Sequence, residues 1–119
     1  MEGKHDVEAY CTFMPRGMSR VEQSIYDSWG AAHRKTEYGD EDAKRHLSNA
    51  VYDLGVAFNV AGDRITASEK STLSESKTWL STLDPDKLRD DVNSEMVRQL
   101  GHTLLSIGIR SACRCIQEK

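Results

Sequence analysis

The apolar residues of the chain recur at intervals of three and four over most of its length, the spacing that puts side chains on one face of an α-helix. The clearest example lies between Asp40 and Gly62. Its apolar positions are Ala43, Leu47, Ala50, Val51, Leu54, Ala57, Phe58 and Ala61. Acidic residues at its start suit the positive end of a helix dipole, with Asp40 as the cap, and Gly62 suits the left-handed residue that ends a helix. We predict a helix here.

A second helix is predicted just before this one. Ser19 and Glu22 have the spacing of a capping box, so we expect the helix to begin near Arg20 and to end at Gly39. One stripe carries its inward positions, which are Val21, Ile25, Ser28, Trp29, Ala32 and Thr36. The short connection between the two helices favours an antiparallel hairpin.

The segment before Pro15 has an ambiguous pattern. Residues 7–14 alternate as in a strand, yet Val7, Cys11 and Met14 also share one helical face. Pro15 and the two residues after it are expected to interrupt the chain. We therefore divide the chain into residues 1–18, an N-terminal segment packed on the bundle or partly flexible, and residues 19–119, a helical bundle domain.

Thr66 and Glu69 repeat the capping-box spacing and predict a third helix that runs to about Leu83. Nine of the residues from Thr66 to Thr82 are Ser or Thr, whose side chains compete for backbone hydrogen bonds. A mobile, low-complexity connector is therefore the alternative for this segment.

A last helix is predicted from Pro85 to about Gln117. Asp84 is expected to cap it, and proline suits the first helical position, where its missing N–H has no intrahelical partner. Asn93 and Ser94 favour caps over helix interiors, so the pattern leaves open an interruption there.

Composition agrees with this reading. A chain of 119 residues with 38% hydrophobic and 29% charged residues is expected to form one folded domain. With only two prolines and eight glycines it has few turn signals for a many-stranded sheet protein. The predicted fold is an all-α, antiparallel bundle of about four main helices, with the N-terminal segment as an extra helix or short strand. No stretch approaches the roughly 20 apolar residues of a membrane span, and we expect a cytoplasmic protein without membrane partners.

The chain has three cysteines, Cys11, Cys113 and Cys115. Their odd number makes a disulfide framework improbable. In addition, the side chains of Cys113 and Cys115 diverge by about 200° on a helix, which argues against a bond between these two. Their spacing also differs from that of zinc ligands, so no metal site is expected from them.

The last helix is apolar over an arc of roughly 200°, about twice what one neighbouring helix covers. It therefore either lies centrally in the bundle or buries a second face against another chain, including a second copy of this one. We take as the candidate partner-binding or dimer interface the residues Leu105, Ile109, Ala112, Ile116, Arg110 and Arg114.

Basic residues suggest an alternative, a nucleic-acid surface, because cationic clusters bind phosphate with release of counterions. The candidates are Arg16, Arg20, Arg34, Lys35, Lys44 and Arg45. Acidic residues are interleaved with them and the net charge is −3, so this is not the favoured interpretation.

Histidines provide the remaining candidate chemistry. His33 with Glu37, and Asp42 with His46, are i,i+4 pairs at the facing ends of the hairpin, a spacing that permits a metal ion but also suits charge pairs on solvated helices.

The stretch Gly101-His102-Thr103-Leu104 resembles the phosphorylated helix of histidine-phosphotransfer domains, which are small helical bundles. The resemblance implies His102 as the phosphate acceptor. Leu105 and Ser106 stand where that family has lysine and glycine, and the family places its histidine in an internal helix of the bundle.

No nucleotide-binding glycine loop or nucleophile elbow occurs in the sequence. The sequence therefore predicts a non-enzymatic interaction protein without a cofactor, a regulator, adaptor or inhibitor that binds a partner protein through a helical surface. Nucleic-acid association is the alternative, followed by phosphotransfer or metal binding at histidine.

Overall fold

The computed structural model describes residues 2–34 and 38–118, with side chains from 7–34 and 38–117. These residues form five helices and contain no strand, which confirms the predicted all-α bundle. The helices are α1 (Glu2–His33), α2 (Gly39–Ala61), α3 (Ala67–Leu80), α4 (Pro85–Arg89) and α5 (Asp91–Glu118). The long helix α1 packs against both α2 and α5, while α3 packs mainly on α2.

Helix α1 is much longer than predicted. It begins at Glu2 and continues through Pro15, so the expected start near Arg20 was wrong and the helical alternative for residues 7–14 is confirmed. Ser19 is an exposed residue inside the helix rather than its cap. The helix passes without interruption across the predicted boundary between residues 18 and 19.

Burial explains why the helix survives its proline. Proline inside a helix removes one backbone hydrogen bond and costs about 3 kcal/mol or more. Tyr10, Met14 and Met18 lie on one face on either side of Pro15 and are almost completely buried. Since each large apolar side chain contributes about 1.5–3 kcal/mol on burial, their docking offsets the loss.

Helix α2 agrees with the prediction except at its first turn. Gly39 begins the helix instead of ending the one before it, and the N-cap is Tyr38, whose side chain makes no capping bond. Asp40 was expected to cap α2 but accepts a hydrogen bond from Arg89 instead. At the other end, Gly62 takes a positive φ of 52° and donates its N–H to the Phe58 carbonyl, as expected of a glycine that ends a helix.

Buried positions of α1 and α2 follow the same four-three alternation, which is the pattern of helices that pack side by side at a shallow angle. In α2 these residues are Ala43, Leu47, Ala50, Leu54, Ala57 and Ala61. In α1 they are Met14, Met18, Val21, Ile25, Ser28 and Ala32. The alanines of α2 let the two helices lie close together.

The third predicted helix is confirmed at its start and is three residues shorter at its end. Thr66 accepts a hydrogen bond from the Glu69 N–H, and Glu69 accepts one from the Thr66 N–H, so both halves of the capping box are present. Leu73, Ser76 and Leu80 of this helix are buried. The segment is therefore a docked helix and not a mobile connector.

The last predicted helix is divided in two, but not at Asn93–Ser94. Asp84 caps the short helix α4 as expected, and the chain then leaves helical geometry at Asp90. The Asp90 carboxylate accepts a hydrogen bond from the Asn93 N–H and so caps the start of α5. Ser94 stabilises the corner by donating its hydroxyl to the Leu88 carbonyl at 2.6 Å.

A disulfide joins Cys11 of α1 to Cys115 of α5, with 5.8 Å between their Cα atoms. The expectation that no disulfide forms was therefore wrong. The argument from the spacing of Cys113 and Cys115 did hold for that pair, because Cys113 is an exposed free thiol. The partner of Cys115 lies 104 residues away in sequence and reaches it only because α1 begins at Glu2.

Candidate functional site

Four of the candidate interface residues form one narrow apolar row on α5, which we call the α5 stripe: Leu105, Ile109, Ala112 and Ile116. Their spacing of four, three and four confines them to about 60° of the helix circumference. Ile109 is 57% exposed and Ile116 is 74% exposed, while Leu105 and Ala112 are half-buried. Neighbouring apolar side chains exposed on one helix face are typical of a surface that binds another protein.

Arg110 and Arg114, the other two candidates, lie on a different side of α5 and bind within the molecule. Both donate to the carboxylate of Glu69 in α3, Arg110 through Nε to Oε2 and Arg114 through an Nη atom to Oε1, each at 2.8 Å. Arg114 also contacts the Tyr10 hydroxyl at 3.4 Å. The two arginines thus link α5 to α1 and α3 and are separate from the α5 stripe.

Glu69 is the only acidic residue among the buried side chains of the described part of the chain. Burial raises the pKa of its carboxyl, but hydrogen bonds from the Thr66 N–H, Arg110 and Arg114 lower it more, so that the pKa lies below its ordinary value. The sequence identified Glu69 as part of a capping box and gave no signal for the arginines, which come from a helix 41 and 45 residues away.

A groove of about 610 Å³ lies between α1 and α5, toward the start of α5. We call it the α1/α5 groove. Its walls include the aromatic side chains Tyr26 and Trp29 from α1 and the backbone at Gly101 from α5. Arg98 and His102, which also line it, precede Leu105 by seven and three residues and so share its helix face. The groove and the α5 stripe are therefore adjacent parts of one surface, and sequence patterning did not reveal the groove.

Carboxylates predominate at this groove. The acidic residues in its lining are Glu22, Asp91 and Glu95, and the basic residues are Arg98 and His102. The Arg98 guanidinium hydrogen-bonds to Glu95 and thereby lowers the pKa of that carboxyl. Because this pair is neutral overall, Glu22 and Asp91 leave the groove with negative charge.

His102 is exposed, as a phosphate acceptor must be, with 66% of its side chain accessible. Its Nδ1 lies 3.8 Å from the Glu22 carboxylate. A carboxylate at this distance repels a phosphoryl group, because both carry negative charge. The surroundings of His102 therefore give no support to the resemblance to phosphotransfer domains.

The hairpin residues considered for a metal have other contacts. His33 donates its Nδ1–H to the Trp29 carbonyl at 2.8 Å and packs its ring against the Trp29 indole. Asp42 forms ion pairs with Arg34 and Arg45. Glu37 lies outside the described residues. Across the described part of the chain, no three His, Cys, Asp or Glu residues are grouped so as to hold a metal ion.

The basic residues considered for nucleic acid do not form one face. Arg16 and Arg34 lie eighteen residues apart on or just after α1, about 27 Å along the helix axis. Arg20 pairs with Asp53 and packs on the Phe13 ring, while Arg34 and Arg45 share Asp42. Lys44 is exposed, and Lys35 lies outside the described residues.

Within the residues that the structure describes, no helix has both the length and the apolar character required to cross a membrane. Compared with protein-family models, with curated proteins and with solved structures, the chain matches none of them. The candidate site is thus defined by its geometry alone: an apolar row on α5 that continues into an aromatic and acidic groove.

Proposed function

We propose that this protein is a non-enzymatic interaction protein, a regulator, adaptor or inhibitor, that binds an amphipathic helix of a partner protein along the α5 stripe. The observation that carries the proposal is the exposure of Ile109 and Ile116 in a row with Leu105 and Ala112. Removing such a row from water is favourable at about 25 cal/mol per Å² of apolar surface.

The occupant must be longer than the stripe. Four side chains, two of them half-buried, expose much less than the roughly 800 Å² per partner that a stable interface buries. A helix that also enters the α1/α5 groove covers Tyr26 and Trp29 as well and so buries a larger area than the stripe alone. Since Glu22 and Asp91 leave this groove negative, we expect basic residues at the end of the partner helix that lies there.

A second copy of the chain is a weaker candidate for the same surface. Two α5 stripes packed against each other bury only the stripe, and the acidic groove has no complementary basic surface on the stripe of the second copy. The proposal therefore favours a different protein over a homodimer, and a measured molar mass distinguishes the two.

The test combines capture from native cell extract with paired variants of α5. Tagged wild type, Ile109→Glu/Ile116→Glu and the control Thr103→Glu are incubated with nuclease-treated extract. Bound proteins are quantified by mass spectrometry, and circular dichroism checks that each variant is folded. Thr103 is exposed on the same helix but outside the stripe, so it controls for the added charge.

A near-stoichiometric partner that wild type and Thr103→Glu retain and the stripe variant loses supports the proposal. An unchanged set of captured proteins overturns it. Light scattering coupled to gel filtration on the purified proteins provides the second readout. A wild-type dimer that Ile109→Glu/Ile116→Glu converts to a monomer overturns the choice of a different protein as occupant.

The compartment is part of the proposal. We expected the cytoplasm from the sequence, but the Cys11–Cys115 disulfide favours an oxidising environment, because cytosolic thiols are kept reduced. Rapid alkylation of native cells followed by mass spectrometry decides between them. Unlabelled Cys11 and Cys115 support the oxidising compartment, and labelled ones support the cytoplasm.

A further inference from the structure

A second groove, of about 910 Å³, runs between α2 and α3, and we call it the α2/α3 groove. It is open to solvent along its length, and Tyr52 on its rim is 72% exposed. Its apolar lining consists of Leu47, Val51, Val56, Leu80 and Leu83. Twelve of the described residues line this groove and none of these is acidic, although the chain has more acidic than basic residues. Among the described side chains, Lys44 and Lys77 are the only charged ones in the groove.

The position of Lys77 depends on a glycine in the facing helix. A Cβ atom added to Gly55 would lie 3.2 Å from the Lys77 Nζ. The ammonium group of α3 therefore lies over the backbone of α2 at Gly55, where no side chain blocks it. No hydrogen bond or ion pair connects this ammonium to the described residues, so its charge is available to a ligand in the groove.

Lys44 provides a second available cation in the same groove. It is exposed and forms no ion pair with the described residues. It precedes Gly55 by eleven residues, which places the two positions on the same face of α2 and about 16 Å apart along the axis. The groove thus has a cation at each of two points three helical turns apart, with apolar side chains between them.

We propose that the α2/α3 groove binds an acidic amphipathic helix of a partner protein. Its apolar face covers Val51 and Val56, and two carboxylates eleven residues apart pair with Lys44 and Lys77. The argument is charge complementarity combined with shape, because an open groove between two helices accepts a third helix of about 10 Å diameter. The α5 stripe of a second copy carries no carboxylate, so it does not match this groove.

The proposal is tested with a fluorescent synthetic peptide, an amphipathic helix of about five turns with leucine on its apolar face and two glutamates eleven residues apart. The control peptide has lysine in place of both glutamates. Fluorescence anisotropy at low and moderate salt measures binding. We expect the glutamate peptide to bind at least tenfold more tightly than the lysine peptide, with the difference decreasing as salt screens the charges.

Two variants localise the binding. Lys44→Met/Lys77→Met keeps most of the aliphatic contact and removes both charges, and we expect it to weaken binding of the glutamate peptide about tenfold. Gly55→Leu is also expected to weaken binding, because the leucine side chain fills the groove. It displaces only the flexible end of Lys77 and replaces a helical glycine with a better helix former, so the variant is expected to remain folded. Arg16→Met, an exposed residue elsewhere on α1, is the control and leaves binding unchanged.

Because the α5 stripe and the acidic α1/α5 groove are themselves expected to bind an amphipathic helix with basic residues, the two peptides and the groove variants are compared in the Ile109→Glu/Ile116→Glu background. A preference for the glutamate peptide that persists in this background separates the inference from the function proposed for the α5 stripe. Equal affinities for the two peptides in this background, or unchanged binding by both groove variants, overturn the inference. Lysine-dependent binding to anionic phospholipid vesicles or to a single-stranded oligonucleotide, without binding of the glutamate peptide, also overturns it.

Discussion

The carboxylate of Glu69 accepts a hydrogen bond from the Nε of Arg110 at 2.8 Å, which joins two helices whose residues are 41 positions apart. Its other oxygen binds Arg114 at the same distance and also accepts the Thr66 N–H at 2.9 Å. One buried side chain therefore caps α3 and anchors it to α5. The link between α3 and α5 depends on the charge of that side chain, because few other contacts connect these two helices and α3 otherwise packs on α2.

Glu69→Gln tests this charge while keeping an oxygen for the Thr66 N–H. We expect it to lower the free energy of unfolding by about 2 kcal/mol at pH 7, because hydrogen bonds between charged groups contribute about 1.5–3 kcal/mol and Arg110 is half exposed. Urea unfolding followed by circular dichroism measures the change. Glu75→Gln, an exposed position on the same helix, is expected to have no measurable effect.

The stability contributed by the Glu69 carboxylate should also depend on pH. Hydrogen bonds hold the pKa of Glu69 in the folded protein below its ordinary value of 4.5, despite the opposing effect of burial. A carboxyl with a depressed pKa stabilises the fold above the unfolded-state pKa, and that stability is lost as pH falls through the folded-state value. The difference between wild type and Glu69→Gln should therefore shrink between pH 5 and pH 3. A difference that stays constant in this range contradicts the role of the ionised carboxylate.

Removal of the disulfide gives the third prediction. Cys11→Ser/Cys115→Ser should reduce stability by about 2–4 kcal/mol, because the bond closes a very long loop in the unfolded chain. Thermal unfolding with and without dithiothreitol measures the effect. The reductant should lower the melting temperature of wild type and of Cys113→Ser but leave the double variant unchanged. Sensitivity of the double variant to dithiothreitol contradicts the assigned pairing.

Two glycine substitutions should change stability in opposite directions. A Cβ at Gly108 would lie 2.8 Å from the Met18 Cβ and 3.3 Å from the Met14 carbonyl oxygen, so Gly108→Ala should destabilise by about 1–3 kcal/mol. A Cβ at Gly30 meets nothing within 4 Å, so Gly30→Ala should stabilise α1 by about 0.5–1 kcal/mol. Chemical denaturation measures the change in the free energy of unfolding for each variant. Changes of the same sign in the two variants contradict the close packing of α5 on α1.

A buried serine gives the fifth prediction. The Ser111 hydroxyl is buried without a hydrogen-bond partner among the described residues, whereas the buried Ser28 hydroxyl donates to the Ile25 carbonyl at 2.7 Å. Ser111→Ala removes an unsatisfied polar group and should raise stability by about 1 kcal/mol. Ser28→Ala should leave stability unchanged or lower it. Melting temperatures measured by calorimetry compare the two, and a destabilised Ser111→Ala indicates that the hydroxyl has a bound water.

Local sequence patterns were sufficient to predict those structural features whose physical cause is also local. The unbroken apolar spacing of α2, the left-handed Gly62 and the capping box of Thr66 and Glu69 each depend on neighbours within one or two turns. All three were predicted from the sequence. The break at Asp90 was missed, although aspartate is a favourable cap, because the apolar pattern continues on both sides of it.

The remaining features depend on contacts between distant parts of the chain. Proline normally interrupts a helix, so the sequence around Pro15 indicates a break. Only the burial of Tyr10 and Met14 against the rest of the bundle allows α1 to continue. The disulfide was missed because the odd number of cysteines and the divergence of Cys113 and Cys115 say nothing about Cys11, which the packing of α1 on α5 places beside Cys115. On α5, the sequence offered the four stripe residues together with Arg110 and Arg114, and the two arginines cannot be separated from the stripe without knowing that Glu69 lies opposite them.

The Cys11–Cys115 bond also has a mechanical consequence. The two cysteines enclose the 103 residues between them, which include most of α1 and all of α2, α3 and α4. A pulling force applied to the chain before Cys11 and after Cys115 is carried through the sulfur atoms and does not reach the enclosed helices. In its oxidised form the protein therefore behaves under tension as a short, nearly inextensible link, and after reduction the same force unravels the bundle.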